Sequence, residues 1–326
     1  MSVHIEILSG LGAKGPAAIV VEAQGKRLLL ELAENVPLYC TPLVAKSLPK
    51  NRLWHPLPER GSIEVEGITV TTGQAGHSLG GVWLHLAVEG GVFYSGDACF
   101  ESLVFPFDTP PTARLALLDA SYGSFDQPQP ACIQAISKHF TQPLAFPVPA
   151  TGRALEMALW LLEEAKSRGL TLAIDAEIRA NLTALLAMPA ALRRPGIDAA
   201  INNVLARQND ENATLRLISD HDDSPQQWPE HRLLHTGYLT PERQVQLAAG
   251  EISWQRWNVH LRASHLVALA DQMDASQVVP LFTQLRDNEL KAWQGLLGNR
   301  LYTSQRFKTD SRTTHFSSLR SFACPQ

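Results

Sequence analysis

The chain has 326 residues, 45% of them hydrophobic and 18% charged, with a net charge of −4. That length allows a sizeable core and roughly two domains of about 150 residues each, and the composition excludes a disordered or low-complexity chain. The slight negative charge excludes global attraction to nucleic acid or acidic membranes, so a nucleic-acid ligand would need a local basic groove. Along the first third, "VHIEIL", "AAIVVEAQGKRLLLE", "SIEVEGITVT", "VWLHLAVEGGVFYSG" and "ARLALLDA" alternate or run in β-branched residues, and Gly25-Lys26 and Gly90-Gly91 mark hairpin turns. A strand meander is expected there. From about residue 130, "PACIQAISKHF", "GRALEMALWLLEEAKSRG", "AEIRANLTALLAMPAALRR" and "GIDAAINNVLARQN" repeat apolar residues at helical spacing. "LAFPVP", "LTLAID" and "LRLIS" intervene as strands, which predicts a parallel α/β region. "DHDDSPQQWPE" reads as a polar loop, "RLLHTGYL" and "QVVPLF" as strands, and "ASHLVALADQM" and "NELKAWQGLL" as helices. The tail from Lys291 carries six Lys and Arg against one Asp and reads as a solvated terminus.

Cys40, Cys99, Cys132 and Cys324 show no CxxC spacing, so neither a zinc ribbon nor a disulfide framework is indicated. The opening MSVHIEILSGLGAKG lacks a signal-peptide pattern, and no apolar run approaches the roughly 20 residues that span a bilayer. A cytoplasmic location with no membrane partner is therefore expected.

Chemistry concentrates in residues 73–100. Gly76-His77 and Gly96-Asp97 look like the ends of adjacent strands that present two metal-binding side chains to one cleft. Alone, each pair is also an ordinary glycine turn. "AGHSLGG", then "FYSGD", then "LALLDASYG" together resemble the metallo-β-lactamase fold in its β-CASP branch, which includes RNA 3′-end-processing endonucleases and RNase J enzymes. The matching positions are His77 as a metal-binding histidine, Asp97 as a metal-bridging aspartate and Asp119 as the acidic residue of the third turn. "LAFPVPATGRALEMALWLLEE" resembles the branch's strand–turn–helix signature, with Pro147, Gly152, Arg153 and Glu156 in place. "PLYCTPLVAKSL" and "LLHTGYL" resemble segments after the main metal motif and closing the inserted cap. The resemblance spans about residues 5 to 285.

It implies an α/β protein with a metallo-β-lactamase-like αββα core, residues 1–122 plus 251–326, and an α/β β-CASP cap at 123–250. His77, Asp97, Asp119 and His260 are expected to end strands on one sheet edge and to converge on the cleft between the lobes. The family carries two zinc ions per site. Its phosphodiesterase mechanism implies a catalytic pair in which His260, oriented by Asp119, helps protonate the leaving oxygen.

The chain also departs from that family. The central His-x-His-x-Asp-His motif belongs between "RLLLE" and "NVPLYCTP", yet only Leu32, Ala33 and Glu34 stand there, so the core is truncated near residue 32. Glu31 takes the place of the usual aspartate. In "NVHLRASHLVALADQMDASQVVPLFTQ", His260 matches the first histidine and His265 falls on the following helix. Phe282 replaces the last histidine, with Thr283-Gln284 where Gly-Glu is usual.

Other histidines offer no replacement set. His231 and His235 lie four apart on a strand, His221-Asp222-Asp223 is a loop, and His85, His55 and His139 read as sheet, packing and helix-end residues. Arg153, at a helix start beside Gly152, suits a phosphate or an inter-domain salt bridge. The expectation is a catalytically impaired family member acting as a scaffold or nucleic-acid-binding partner of RNA or DNA, paired with a catalytic paralogue or with itself, and holding less than one tightly bound zinc per chain. The alternatives are an active metal-dependent nuclease and an internally deleted form of one.

Overall fold

The computed structural model describes residues 3–12, 17–30, 37–46 and 48–309. Glu31 to Glu34 and the basic tail beyond Thr309 lie outside the described residues. The chain opens with strands β1 (Val3–Ser9), β2 (Ala18–Ala23) and β3 (Lys26–Leu30), followed by the short strand β4 (Tyr39–Cys40), helix α1 (Pro42–Ala45) and β5 (His55–Pro56). A meander then runs through β6 (Gly61–Val65), β7 (Ile68–Gln74), β8 (Val82–Leu86) and β9 (Val92–Tyr94) to β10 (Leu115–Asp119). Next come α2 (Gln129–Ser137), β11 (Leu144–Val148), α3 (Arg153–Arg168), β12 (Leu172–Ile174), α4 (Ala176–Leu186), α5 (Ile197–Ala206), β13 (Leu215–Ser219), β14 (Arg232–His235), α6 (Pro241–Ala248) and β15 (Ser253–Trp254). The described chain closes with α7 (Ala263–Gln272), β16 (Gln277–Leu281), α8 (Asp287–Leu297) and β17 (Arg306–Thr309).

Two sheets form the first layer pair. The four-stranded antiparallel sheet has the order β17-β1-β2-β3, and the six-stranded mixed sheet β16-β10-β9-β8-β7-β6. In β1, Val3, Ile5 and Ile7 are buried while His4 and Leu8 are exposed, the period-two pattern that gives a sheet one inner face. Those residues meet Ile19 and Val21 of β2 and Val70, Leu86, Val92, Leu117 and Val279 of the larger sheet in one apolar core. β10 is central and buried at every position, so its sequence is a continuous apolar run ending in Asp119 rather than an alternation.

The opposite face of the larger sheet packs on helices. Phe93, Ala116, Leu118 and Val278 meet Leu266, Leu269 and Met273 of α7 and Trp293 and Leu297 of α8. Among the described residues no helix shares an apolar cluster with the far face of the four-stranded sheet, so the layers run β, β, α instead of the expected αββα. The inner hairpin turn falls at Gln24-Gly25, one residue before Gly25-Lys26, with both residues at positive φ.

The α/β region is a five-stranded parallel sheet of order β12-β13-β11-β14-β15. The α3 helix supplies much of its core through Ala154, Leu155, Met157, Ala158, Leu161, Leu162 and Ala165. Because β15 pairs with β14 through Ser253 and Trp254, the sheet continues past the expected boundary at residue 250. Among the described residues no helix is long and apolar enough to cross a membrane.

Candidate metal centre

Each functional side chain sits where a regular element gives way to a turn. After β7, the chain turns at Gly76 (φ +73°), where an added Cβ would lie 2.0 Å from the Cys99 carbonyl oxygen. Only glycine permits that approach, and the turn brings His77 beside Asp97 and His260. Asp97 follows the Gly96 turn after β9, and Asp119 is the last residue of β10.

His260 comes from the loop between β15 and α7, not from a strand end as expected. Tyr122 holds that loop: its hydroxyl accepts from Val259 N–H at 2.8 Å and donates to the Trp257 carbonyl at 3.2 Å. Gln129 accepts from Asn258 N–H at 2.7 Å, and Glu101 accepts from Asn258 Nδ2 at 3.0 Å and from Arg262 Nε at 3.1 Å.

His77, Asp97 and His260 each bring a ligand-type atom within 4.8 Å of the others. His77 Nε2 lies 3.7 Å from Asp97 Oδ2, and the two imidazoles are 4.8 Å apart between centroids. His77 Nδ1 donates to the Val259 carbonyl at 2.7 Å, leaving Nε2 as the lone-pair nitrogen that faces Asp97. His260 Nδ1 donates to Asp119 Oδ2 at 2.8 Å. Asp119 is fully buried and also accepts from Ala98 N–H, Ser121 N–H and Ser121 Oγ–H. Burial alone would raise its carboxyl pKa, but His260 and these hydrogen bonds outweigh that and hold it below the usual carboxylate range. Burial, followed by the neighbouring His260, lowers the His77 pKa and keeps the ring neutral, the form that binds a metal.

The four expected residues therefore converge, three as candidate ligands and Asp119 behind them. Two imidazoles and a carboxylate suit one borderline divalent ion such as zinc. Among the described residues no further His, Cys, Asp or Glu brings a ligand-type atom within 4.8 Å of all three.

Five other histidines are engaged elsewhere. His85 Nε2 and His231 Nε2 donate to the Thr112 and Ala213 carbonyls, His55 stacks on Tyr39, His139 meets Gln255, and His265 contacts Arg262 and Phe100. Phe282 is buried in the core between the two sheets with φ +63°. Tyr122, Glu101, Gln129 and Asn258 were not singled out from the sequence, since loop braces carry no periodic signal. Tyr122 and Asn258 stood inside quoted motifs, "LALLDASYG" and "NVHLRASHLVALADQMDASQVVPLFTQ", without a role assigned to either.

Of the two roles weighed for Arg153, a phosphate and an inter-domain salt bridge, the second finds no ion pair among the described residues, and its Nε has no hydrogen-bond partner there. The N-terminus of α3 comes near the His77 main chain: a Cβ added to Gly152 would lie 3.9 Å from the His77 carbonyl oxygen.

No family model matches the chain, and no curated protein matches it. Among solved structures it is similar to a protein of unknown function from Enterococcus faecalis V583, with a TM-score of 0.54 and 14% identity over 87% of this chain and 95% of that one. That likeness concerns the fold alone.

Proposed function

We propose that the chain is a catalytically impaired relative of β-CASP metallo-β-lactamase-fold phosphodiesterases, with a one-metal remnant of their two-metal centre, that works as a nucleic-acid-binding partner. The observation that carries this reading is the group His77, Asp97 and His260, whose ligand atoms lie within 4.8 Å of one another with no further ligand among the described residues. The order of the motifs and the glycine turns that present His77 and Asp97 resemble those of the family.

A divalent ion bound there would supply Lewis acidity toward a phosphate oxygen. The chain's own residues set the rest. Val259 fixes the His77 tautomer, and Asp119 holds the His260 ring through Nδ1, the kind of support that orients metal-binding histidines. Without a second ion, an in-line displacement loses the clamp on one of its two reacting oxygens.

The Asp119–His260 hydrogen bond, with Asp119 fully buried, favours a second reading, an active single-metal nuclease in which that pair manages the leaving-group proton. Cleavage of single-stranded RNA and DNA by the full chain, with zinc or manganese added, separates the two. The proposal expects product at background, equal for the wild type and Asp97→Asn. Cleavage that Asp97→Asn abolishes in a folded protein would overturn it in favour of the active nuclease.

A further inference from the structure

Strand β10 ends in a turn whose side chains reach the loop that carries His260. Asp119 accepts from His260 Nδ1, and three residues later Tyr122 meets the main chain just before that histidine. The turn itself is fixed. Gly123 N–H donates to the Ala120 carbonyl at 2.7 Å, and Ser121 N–H donates to Asp119 Oδ1 at 3.0 Å. Ser124 donates to Glu289 of α8 through its N–H at 2.9 Å and its hydroxyl at 2.8 Å. Gly123 has φ +58°, and a Cβ there would lie 2.9 Å from Glu289 Oε2, so only glycine lets the turn close on that helix.

Val259 links the two histidines. Its carbonyl accepts from His77 Nδ1 at 2.7 Å, and His260 follows it directly in the chain. Its N–H donates to the Tyr122 hydroxyl at 2.8 Å, and the same hydroxyl donates to the Trp257 carbonyl at 3.2 Å. A phenol must keep its proton to accept from one main-chain group and donate to another. Burial pushes the Tyr122 hydroxyl well above its usual range, so that proton stays. The ring is held as well. The Arg256 guanidinium carbon lies 4.3 Å from its centre, and the His260 imidazole meets it edge-on, 5.2 Å between centroids.

We infer that Tyr122 is a positioning residue of the metal centre, aligning both histidines at once through the main chain of Val259. Its hydroxyl fixes where the Val259 carbonyl points, and that carbonyl decides which nitrogen of His77 keeps its hydrogen. The same anchor sets where His260 enters the site. Asp97 is independent of it, since it comes from the Gly96 turn after β9. Without the hydroxyl, the Val259 N–H and the Trp257 carbonyl lose their partner, and the loop rearranges to satisfy them. His77 then loses the acceptor that holds Nε2 as its lone-pair nitrogen, the kind of support on which metal-binding histidines depend. The inference rests on the proposed one-metal reading for the use of this alignment, not for the alignment itself.

The test compares the full wild-type chain with Tyr122→Phe, which removes the hydroxyl and keeps the ring, and with Tyr122→Leu, which removes both. Long-range nitrogen–proton NMR of the metal-free protein, with isotope-labelled histidines, reads the His77 tautomer at about pH 8, above the ordinary imidazole range. His77 is expected as the single Nδ1–H tautomer in the wild type and in Asp97→Asn, and as a mixture of both tautomers in Tyr122→Phe. Zinc affinity, from competition with a chromophoric chelator, is expected to fall about tenfold or more in Tyr122→Phe and at least as far in Tyr122→Leu. A His77 tautomer unchanged in Tyr122→Phe would overturn the inference. So would zinc affinity lost only in Tyr122→Leu, which would make the ring a packing element and the hydroxyl incidental. A wild type that binds no zinc, with the tautomer shift still seen, would keep the alignment by Tyr122 while the one-metal reading fell.

Discussion

His260 Nδ1 lies 2.8 Å from Asp119 Oδ2, a hydrogen bond between a loop residue and a strand end 141 positions earlier in the chain. The bond ties a residue of the loop between β15 and α7 to the end of β10, a strand buried at every position. It sets the tautomer of His260 and, through it, the geometry offered to a cation.

Asp119→Asn keeps the volume but replaces one carboxylate oxygen by a donor group that faces other donors. Its expected effects are a loss of zinc affinity of about 10- to 100-fold and a stability loss of about 1–3 kcal/mol from unsatisfied buried groups. Competition with a chromophoric chelator measures the first and urea unfolding the second. Unchanged zinc affinity in the folded variant would remove Asp119 from its orienting role.

Gly76→Ala tests how the sequence builds the His77 turn. The methyl group would meet the Cys99 carbonyl oxygen at 2.0 Å, and φ of +73° is strained for any side chain. A loss of about 2 kcal/mol or more is expected, with a parallel loss of zinc binding as His77 is displaced. A stability change below about 0.5 kcal/mol, the range of neutral surface substitutions, would contradict it.

Glu156 gives the fold a pH dependence. It is 2% exposed on α3, accepts hydrogen bonds from Ser102 Oγ and Trp257 Nε1, and burial raises its pKa from 4.5 to about 7. The folded state therefore binds this proton more tightly than the unfolded one. The protonated carboxyl's contribution is complete below about pH 4.5 and is lost as pH rises through about 7, on the order of 3 kcal/mol. Glu156→Gln should leave stability nearly unchanged at pH 4.5 and raise it by about 1–3 kcal/mol at pH 8. Urea unfolding at the two pH values checks this, and an equal change at both would show that Glu156 does not carry the dependence.

Much of this was legible in the residues. Alternation in "VHIEIL" and the continuous apolar "LALLD" gave β1 and β10 because burial on one face or two leaves those patterns directly. His77, Asp97 and Asp119 were placed at turns or ends of their strands because glycine turns and a terminal aspartate mark such positions. His260 was placed at a strand end and is on a loop, held by Tyr122 and by the Gln129 and Glu101 contacts to Asn258. Such braces join residues more than 100 positions apart and leave no local pattern. The expected outer helix layer beside the four-stranded sheet did not follow from any periodic segment of this chain; it came with the family resemblance. The unpaired guanidinium of Arg153 could not be read from sequence, since an arginine at a helix start reads equally as an ion pair.

Metal stoichiometry tests the central claim most directly. The full chain, equilibrated with excess zinc and weighed by native mass spectrometry, should hold at most one ion. That ion should be lost on brief dialysis against chelator and absent from Asp97→Asn and His77→Ala, since three protein ligands without their usual neighbours hold zinc weakly. Two tightly bound ions per wild-type chain would contradict the account and restore a complete hydrolase centre.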